Sequence, residues 1–286
     1  RTIKEEKEDG IDTYWYENGQ KSQEVTYKDG ERDGLFTSWY ENGQKRSERI
    51  WKDGKEDGLW TWWYENGQKK EEGTYKDGKK DGLWTEWYEN GQKWKEGTYK
   101  DGKEIRTIKW DYYENGQTRW EAIYKDGEQD GLETYWYKNG QKRKEGINKD
   151  WDEDGKWTYW YENGQKEYER KYKDGERDGK WTWWNRDGSL VKKGSYKNQF
   201  MNGLWEFYYY NGKMKAKGSY KDGDGGNLSE ETGIPFNGRS GRWTFWYENK
   251  QKKEEGLYKD GFIDGLWTFW DNSGRKYQGK VRRKND

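Results

Sequence analysis

The sequence predicts an all-β protein: a single-layer, twisted antiparallel β-meander of about eleven 24-residue hairpin repeats. Three observations predict it. One block, Asp57-Gly58-Leu59-Trp60-Thr61-Trp62-Trp63-Tyr64-Glu65-Asn66-Gly67-Gln68, returns with small changes every 24 residues, and self-similarity at such a period marks a repeat architecture. Each block holds a short run of β-branched and aromatic residues that meets Asn-Gly, a strong hairpin signal. No block carries the stripe of apolar residues that a helix would need.

The turn glycines give the ruler. They run Gly19, Gly43, Gly67, Gly91, Gly116, Gly140, Gly164, Gly188 and Gly212, then Lys250 as a substitute, then Gly274. Every step is 24 residues except Gly91 to Gly116, which is 25, and Gly212 to Lys250, which carries fourteen more. Residues 1–286 therefore read as one array, with an irregular repeat at about 102–126 and an inserted loop at about 222–240.

A mean hydropathy of −1.75 and 39% charged residues would ordinarily mark a chain unable to bury enough apolar surface to fold. The 23 tryptophans and 25 tyrosines reverse that expectation. Aromatics make up 19 of the 28 percentage points of hydrophobic residues, so large flat rings must replace an aliphatic core. Lys plus Arg equals Asp plus Glu at 56 each, which offers no general field for nucleic acid or anionic lipid. There is neither cysteine nor histidine, so thiolate chemistry and the commonest general base are missing. No run approaches the length of a membrane-spanning helix. The chain opens inside a repeat, because Arg1-Thr2-Ile3-Lys4 aligns with Gly73-Thr74-Tyr75-Lys76; a lost leader is compatible with secretion, and an extracellular or cell-surface setting is favoured over the cytoplasm.

Within one repeat, Leu59 to Tyr64 is the first strand and Gln68 to Lys76 the more polar second. The paired Asp-Gly steps of Asp77-Gly78 and Asp81-Gly82 turn the chain back. With Asn66-Gly67 as a two-residue loop, Trp60 falls opposite Gly73 and Tyr75 opposite Gly58, so each glycine faces a ring. On the other face the same register sets cations against rings, pairing Trp39 with Arg46, Trp63 with Lys70, Trp136 with Arg143 and Trp246 with Lys253. That column is mixed, since Trp87 meets Trp94, Trp160 meets Glu167 and Trp184 meets Val191. The even period keeps each column on its own face. The extra residue of the repeat at 102–126 calls for a β-bulge, and the insertion, with the only proline, Pro235, reads as an exposed loop.

Gly-Leu-Trp-Thr-Trp-Trp-Tyr-Glu-Asn-Gly-Gln followed by Glu-Gly-Thr-Tyr-Lys-Asp-Gly-Lys-Lys-Asp-Gly resembles the MORN repeat, and more closely its variant form in bacterial proteins. The match covers almost the whole chain. The resemblance implies consecutive hairpins in a single-layer sheet that act as scaffold or binding surface and not as catalyst; some bacterial relatives resemble antitoxins or accessory proteins of adhesins.

Enzyme chemistry needs a unique constellation, whereas nearly every acidic residue here has a copy 24 residues away. No catalytic residue, metal site or cofactor is expected. Asp77 and Asp81, with Asp29, Asp33, Asp53 and Asp57, read as turn chemistry in preference to a cation ladder, and Asp222-Gly223-Asp224-Gly225-Gly226-Asn227 lacks the glycine spacing of a calcium loop. The candidate binding residues are Trp15, Trp39, Trp63, Trp87, Trp136, Trp160, Trp184, Trp246 and Trp270. The leading expectation is a scaffold for protein partners, itself included as homo-oligomer or fibre, with the strand remnant Arg1–Lys4 and the shortened strand Arg275–Val281 as open edges. The alternative is a glycan-binding module that uses those tryptophans as platforms.

Overall fold

The computed structural model describes residues 9–280. Every described element is a β-strand, and within each half of the array the strands pair antiparallel with sequence neighbours, Glu176–Arg177 and Gly179–Trp184 sharing one partner. The array divides into two compact units, Arg1–Gly131 and Leu132–Asp286. The first holds β1 (Gly10–Trp15), β2 (Lys21–Lys28), β3 (Glu31–Trp39), β4 (Lys45–Lys52), β5 (Lys55–Trp63), β6 (Lys69–Lys76), β7 (Lys79–Trp87), β8 (Lys93–Lys100), β9 (Lys103–Tyr112) and β10 (Thr118–Lys125). Strand β11 (Glu128–Trp136) spans the boundary. The second holds β12 (Lys142–Lys149), β13 (Asp152–Trp160), β14 (Lys166–Lys173), β15 (Glu176–Arg177), β16 (Gly179–Trp184), β17 (Leu190–Lys197), β18 (Phe200–Tyr208), β19 (Met214–Gly223), β20 (Arg239–Trp246), β21 (Lys252–Lys259), β22 (Phe262–Trp270) and β23 (Lys276–Lys280). These are eleven hairpins; the extra strand arises because the chain breaks at Asp178, whose amide donates to the Lys171 carbonyl. The edge residues Arg1–Lys4 and Val281 lie outside the described residues.

Inside a hairpin the expected register holds over most of its length. Gly58 pairs with Tyr75, Trp60 with Gly73 and Trp62 with Glu71. It fails next to the turn, where Trp63 pairs with Lys69. The loop is three residues, not two: the Gly67 amide donates to the Tyr64 carbonyl, and the Tyr64 amide to the Gln68 carbonyl. Only Gly67 takes a positive φ, of 81°, as a type I turn with a following left-handed glycine requires. The one-residue difference makes Lys70 a bulge residue and turns it toward Trp62, its ammonium 4.3 Å from that ring. The tight two-residue turn is Asp77-Gly78 between hairpins, with φ of 50° and 78°, the mirror-image turn that suits strand twist.

Asp81-Gly82 is not a turn. Glu72 pairs with Thr85 and Thr74 with Asp81, so Gly82, Leu83 and Trp84 together confront the single residue Gly73. Gly82 opens this wide bulge at a φ of 83°, Leu83 points to solvent, and Trp84 folds its indole flat onto Gly73. A Cβ on Gly73 would lie 2.1 Å from Trp84 Cδ2. The indole Nε1 donates to the Thr74 carbonyl at 3.1 Å, satisfying an acceptor that the bulge removed from the ladder. The same contact recurs as Trp157 on Gly146, Trp205 on Gly194, Trp243 on Gly218 and Trp267 on Gly256. The ring over each glycine therefore belongs to the following hairpin, not to the cross-strand partner that the sequence register indicated.

These rings form the core of a one-layer sheet. Trp84, Trp157, Trp205, Trp243 and Trp267 are at most 1% exposed, whereas Trp60 and Trp181, which follow Arg49 and Arg170 in the glycine column, are 8% and 5% exposed. Tyrosines wedge edge-on between successive indoles: Tyr75 lies 5.1 Å from Trp84 at 88°, Tyr220 5.0 Å from Trp243 at 87°, and Tyr258 5.2 Å from Trp267 at 90°. Such edge-to-face pairs add to the area they bury.

The two irregular places differ in outcome. Between β8 and β9 there is a bulge, as expected, but of the single residue Ile105; no tryptophan covers Gly97, and Tyr99 and Thr107 approach it instead. The insertion is a loop exposed over much of its length, Leu228 and Phe236 among its exposed residues, but it is anchored near its end. Ile234 is buried, and Arg239, also buried, donates to the carbonyls of Ile234 and Pro235 and to the Tyr258 hydroxyl. The segment folds back onto the ring core and joins it.

Gly73→Ala is expected to lift Trp84 off the sheet and to cost about 1–3 kcal/mol, while Thr74→Val, an exposed site on the opposite face, should be near neutral. Urea denaturation of the two variants measures this, and equal midpoints would remove the indole-on-glycine contact as the organising element.

Candidate functional site

The candidate tryptophans all end the first strand of a hairpin. Alternation along β5 brings Leu59, Thr61 and Trp63 to one face and Trp60 and Trp62 to the other. Trp15 is 59% exposed; Trp39, Trp63, Trp87, Trp136, Trp160, Trp184, Trp246 and Trp270 are half-buried. The chain thus has two tryptophan populations, an inner one plugged onto glycines and an outer one at the hairpin ends.

The outer tryptophans are tied along the array. In six hairpins the hydroxyl of the tyrosine that follows the tryptophan donates to the carbonyl of the next one: Tyr16 to Trp39, Tyr40 to Trp63, Tyr64 to Trp87, Tyr137 to Trp160, Tyr161 to Trp184 and Tyr247 to Trp270. Tyr209 reaches Trp246 in the same way across the insertion. Asparagine staples the turns: Asn66 Oδ1 accepts from the Gln68 amide while Nδ2 donates to the Glu89 carbonyl of the next hairpin. Tyr-Glu-Asn-Gly is thus a structural cassette, which explains its repetition.

Cations do lie on the outer rings, but they come mostly from the preceding hairpin; Lys276, 6.0 Å from Trp270, comes from the same one. Lys21 lies 5.7 Å from the Trp39 ring, Lys45 6.0 Å from Trp63, Lys69 5.9 Å from Trp87, Lys166 5.8 Å from Trp184 and Lys252 5.4 Å from Trp270. Each of these lysines also bridges a glutamate three residues on, as Lys69 does Glu72. Trp63 with Lys70 is not formed because the turn bulge moves Lys70 to the other face. Arg46 lies over Tyr40 and Trp94 near Tyr88.

Aspartates at the opposite hairpin ends are engaged with backbone. The Asp57 carboxylate accepts from the Asp77 amide at 3.3 Å, and Asp33 from Asp53 at 3.2 Å. Asp224 accepts from the Gly226 amide and from Asn237. Among the described residues no three metal-ligating side chains converge.

In the second unit the ring-bearing face holds a site that the periodic columns do not single out. A pocket of about 320 Å³ is lined by Tyr135, Tyr137, Arg143, Lys144, Tyr159, Glu167 and Tyr168. Tyr159 and Tyr168 stack at 4.2 Å and form one wall. Beyond that wall Arg170 lies 4.0 Å from the Tyr168 ring and 4.9 Å from Trp181, Arg177 4.6 Å from Tyr196, and Lys192 4.4 Å from Trp183. Burial first, and then the charge of Arg170, pull the Lys192 ammonium below its ordinary value. The signal available in the sequence was Arg170 itself, an arginine in a column otherwise rich in glycine.

On the face opposite, Glu206 sits between Lys193 and Lys217, bonded at 2.7 Å and 3.1 Å. Burial alone would raise its carboxyl, but hydrogen bonds from Lys193, Tyr208 and Lys217 prevail and hold it down at about 2. A depressed carboxylate stabilises the fold above its unfolded value and stops doing so as pH falls through the folded one. Wild type should lose stability between pH of about 4.5 and about 2, and Glu206→Gln should lose less over that window, measured by urea midpoints at each pH.

Inner and outer tryptophans should separate under mutation. Trp84→Ala is expected to cost about 3–5 kcal/mol and Trp87→Ala about 1–2 kcal/mol, read by the same denaturation assay.

A profile of the MORN repeat variant matches residues 8–29, 32–53, 56–77, 80–101, 129–150, 153–174, 177–198, 201–222 and 239–260. The unmatched stretches are those of the irregular repeat, the insertion and the last hairpin. No curated protein matches the sequence. Among solved structures the chain is similar to TcdB2-TccC3, with 12% identity, a TM-score of 0.20 and coverage of 93% of this chain and 18% of that one. It is also similar to TcdB2-TccC3 without its hypervariable C-terminal region, with 11% identity, a TM-score of 0.25 and coverage of 92% and 17%. A third is the Photorhabdus luminescens Tc holotoxin pore, at 10% identity, a TM-score of 0.24 and coverage of 91% and 16%. The chain thus spans less than a fifth of the length of those proteins.

Proposed function

Because this chain belongs to the MORN repeat variant family, with nine matched repeats, we propose that it is a non-catalytic scaffold working through protein–protein contacts, a second copy of itself among its partners. One observation carries the reading. On the face that bears the outer tryptophans, Ile11, Leu35, Leu59 and Leu83 occupy one column of the first unit and are 50–63% exposed. In the second unit the same column holds Leu132, Leu204 and Leu266 in three hairpins and Lys156, Lys180 and Arg242 in the other three. A hairpin folds with a cation there, so the aliphatic side chains of the first unit have no structural need to be aliphatic. A contiguous exposed apolar row is an interface signature.

Trp15, Trp39, Trp63 and Trp87 flank that row and extend the contact face; Trp136, Trp160, Trp184, Trp246 and Trp270 continue the column in the second unit. The glycan reading uses the same rings. Lysines already seated over five of them favour the protein reading, since those lysines present both charge and stem to a partner.

Leu35→Lys, Leu59→Lys and Leu83→Lys together place in the first unit what the second unit already tolerates. The wild-type chain should self-associate with rising concentration in light scattering, and the triple variant should remain smaller at equal concentration with unchanged thermal stability. A wild type that stays strictly monomeric at high concentration removes self-association from the proposal.

A further inference from the structure

We propose that the cluster of Arg170, Arg177 and Lys192 is a recognition site for acidic side chains of an extended protein segment. Two repeats, compared position by position, differ in the charges around one arginine. Arg170 has an equivalent six residues after its turn glycine in the first unit, Arg49. Arg49 is neutralised by Glu56 at 3.4 Å. The residue equivalent to Glu56 beside Arg170 is Arg177, and the residue equivalent to Glu71, which binds Lys80 at 2.8 Å, is Lys192. Two acid-to-base exchanges thus fall on the following side of Arg170, against one base-to-acid exchange on the preceding side, where Glu153 stands at the position that Arg32 holds beside Arg49.

The result is three cations on aromatic rings. None of the three forms a salt bridge among the described residues. Arg170 makes one long hydrogen bond, 3.4 Å to the Tyr172 hydroxyl, and its Nε, like that of Arg49, is buried with no partner. The nearby acid Glu153 accepts from the Tyr159 hydroxyl at 3.0 Å. Grouped, partly desolvated like charges are unfavourable unless something anionic joins them.

The geometry suits a row of carboxylates better than a single phosphate. Arg170 lies on β14 and Lys192 on β17, with β16 paired between them, so the two cations stand roughly 10 Å apart along the hydrogen-bonding direction. Phosphate sites are typically built from converging backbone N–H groups, and here those groups serve the strand ladder. Carboxylates on alternate residues of an extended segment are about 7 Å apart, close enough to reach successive cations, while Trp183 and Tyr168 offer ring surface to the apolar residues between them. Planar guanidinium groups suit carboxylates in particular.

This inference rests on the protein-binding reading above, and the test keeps the two apart. The probe is a fluorescent peptide alternating glutamate with leucine, compared with the same peptide carrying lysine for glutamate, and challenged with inorganic phosphate and with a single-stranded oligonucleotide. The variants are Arg170→Gly, which restores the glycine found under Trp84 and Trp205, and Lys192→Glu, which restores the residue of the third repeat; hydrogen exchange confirms that β14 to β17 remain folded. By anisotropy the acidic peptide should bind, should bind about tenfold more weakly to each variant, and should weaken with salt. Equal affinity for wild type and variants, no preference for the acidic peptide, or stronger competition by oligonucleotide or phosphate than by unlabelled acidic peptide would each overturn the site. If it is overturned while the leucine-to-lysine variant still alters self-association, the scaffold reading stands without it.

Discussion

An indole laid flat on a glycine holds this structure together. A one-layer sheet has no second layer against which to bury its side chains, so its core must lie within the sheet surface itself. The wide bulge opened by Gly82 supplies the means. It swings Trp84 back over Gly73, covers backbone that would otherwise be bare, and lets the indole N–H take the place of a ladder donor at the Thr74 carbonyl. Each such plug belongs to one hairpin and covers another, so in five places a hairpin is completed by its successor. Stability in such an array is carried by nearest-neighbour interfaces.

The rest of the repeat reinforces those interfaces. The tyrosine hydroxyl and the asparagine amide each reach from one hairpin to the backbone of the next, and the aspartate carboxylate holds the turn that joins them. Nearly all of the motif is therefore committed to stacking hairpins, and function has to be sought where columns depart from their usual occupant. Two departures stand out. The solvent-facing column is aliphatic in four hairpins of the first unit and three of the second but cationic in the other three of the second, and the glycine column admits Arg170 beside two further cations. Neither departure is required by the stacking, since other hairpins fold without it.

The irregular repeats follow the same physics. Between β8 and β9 the bulge contains one residue in place of two, the tryptophan is missing, and Thr107 fills part of the space over Gly97. At the insertion the array stays continuous because Tyr209 still reaches Trp246, while Arg239 ties the added segment to Tyr258 and rests on Trp243. A charged residue can be buried there because its donors are met by two carbonyls and a hydroxyl, and its plane by rings.

By itself the sequence determined the period, the hairpin as its unit, the register within each hairpin away from the turn, and the aromatic character of the core. These follow from local rules: turn chemistry, strand alternation and the absence of any other apolar material. Only the tertiary structure decided which tryptophans are core and which are rim. Trp60, Trp63 and Trp84 look alike as letters, and their fates depend on bulges between strands that no single strand encodes. The slip at Asn66-Gly67 by one residue reassigned Lys70 from Trp63 to Trp62, and the bulge at Gly82 reassigned the ring over Gly73 from Trp60 to Trp84. The burial of Ile234 and Arg239 and the gathering of Arg170, Arg177 and Lys192 were likewise settled between hairpins, where contacts depend on register across strands and not on spacing along the chain.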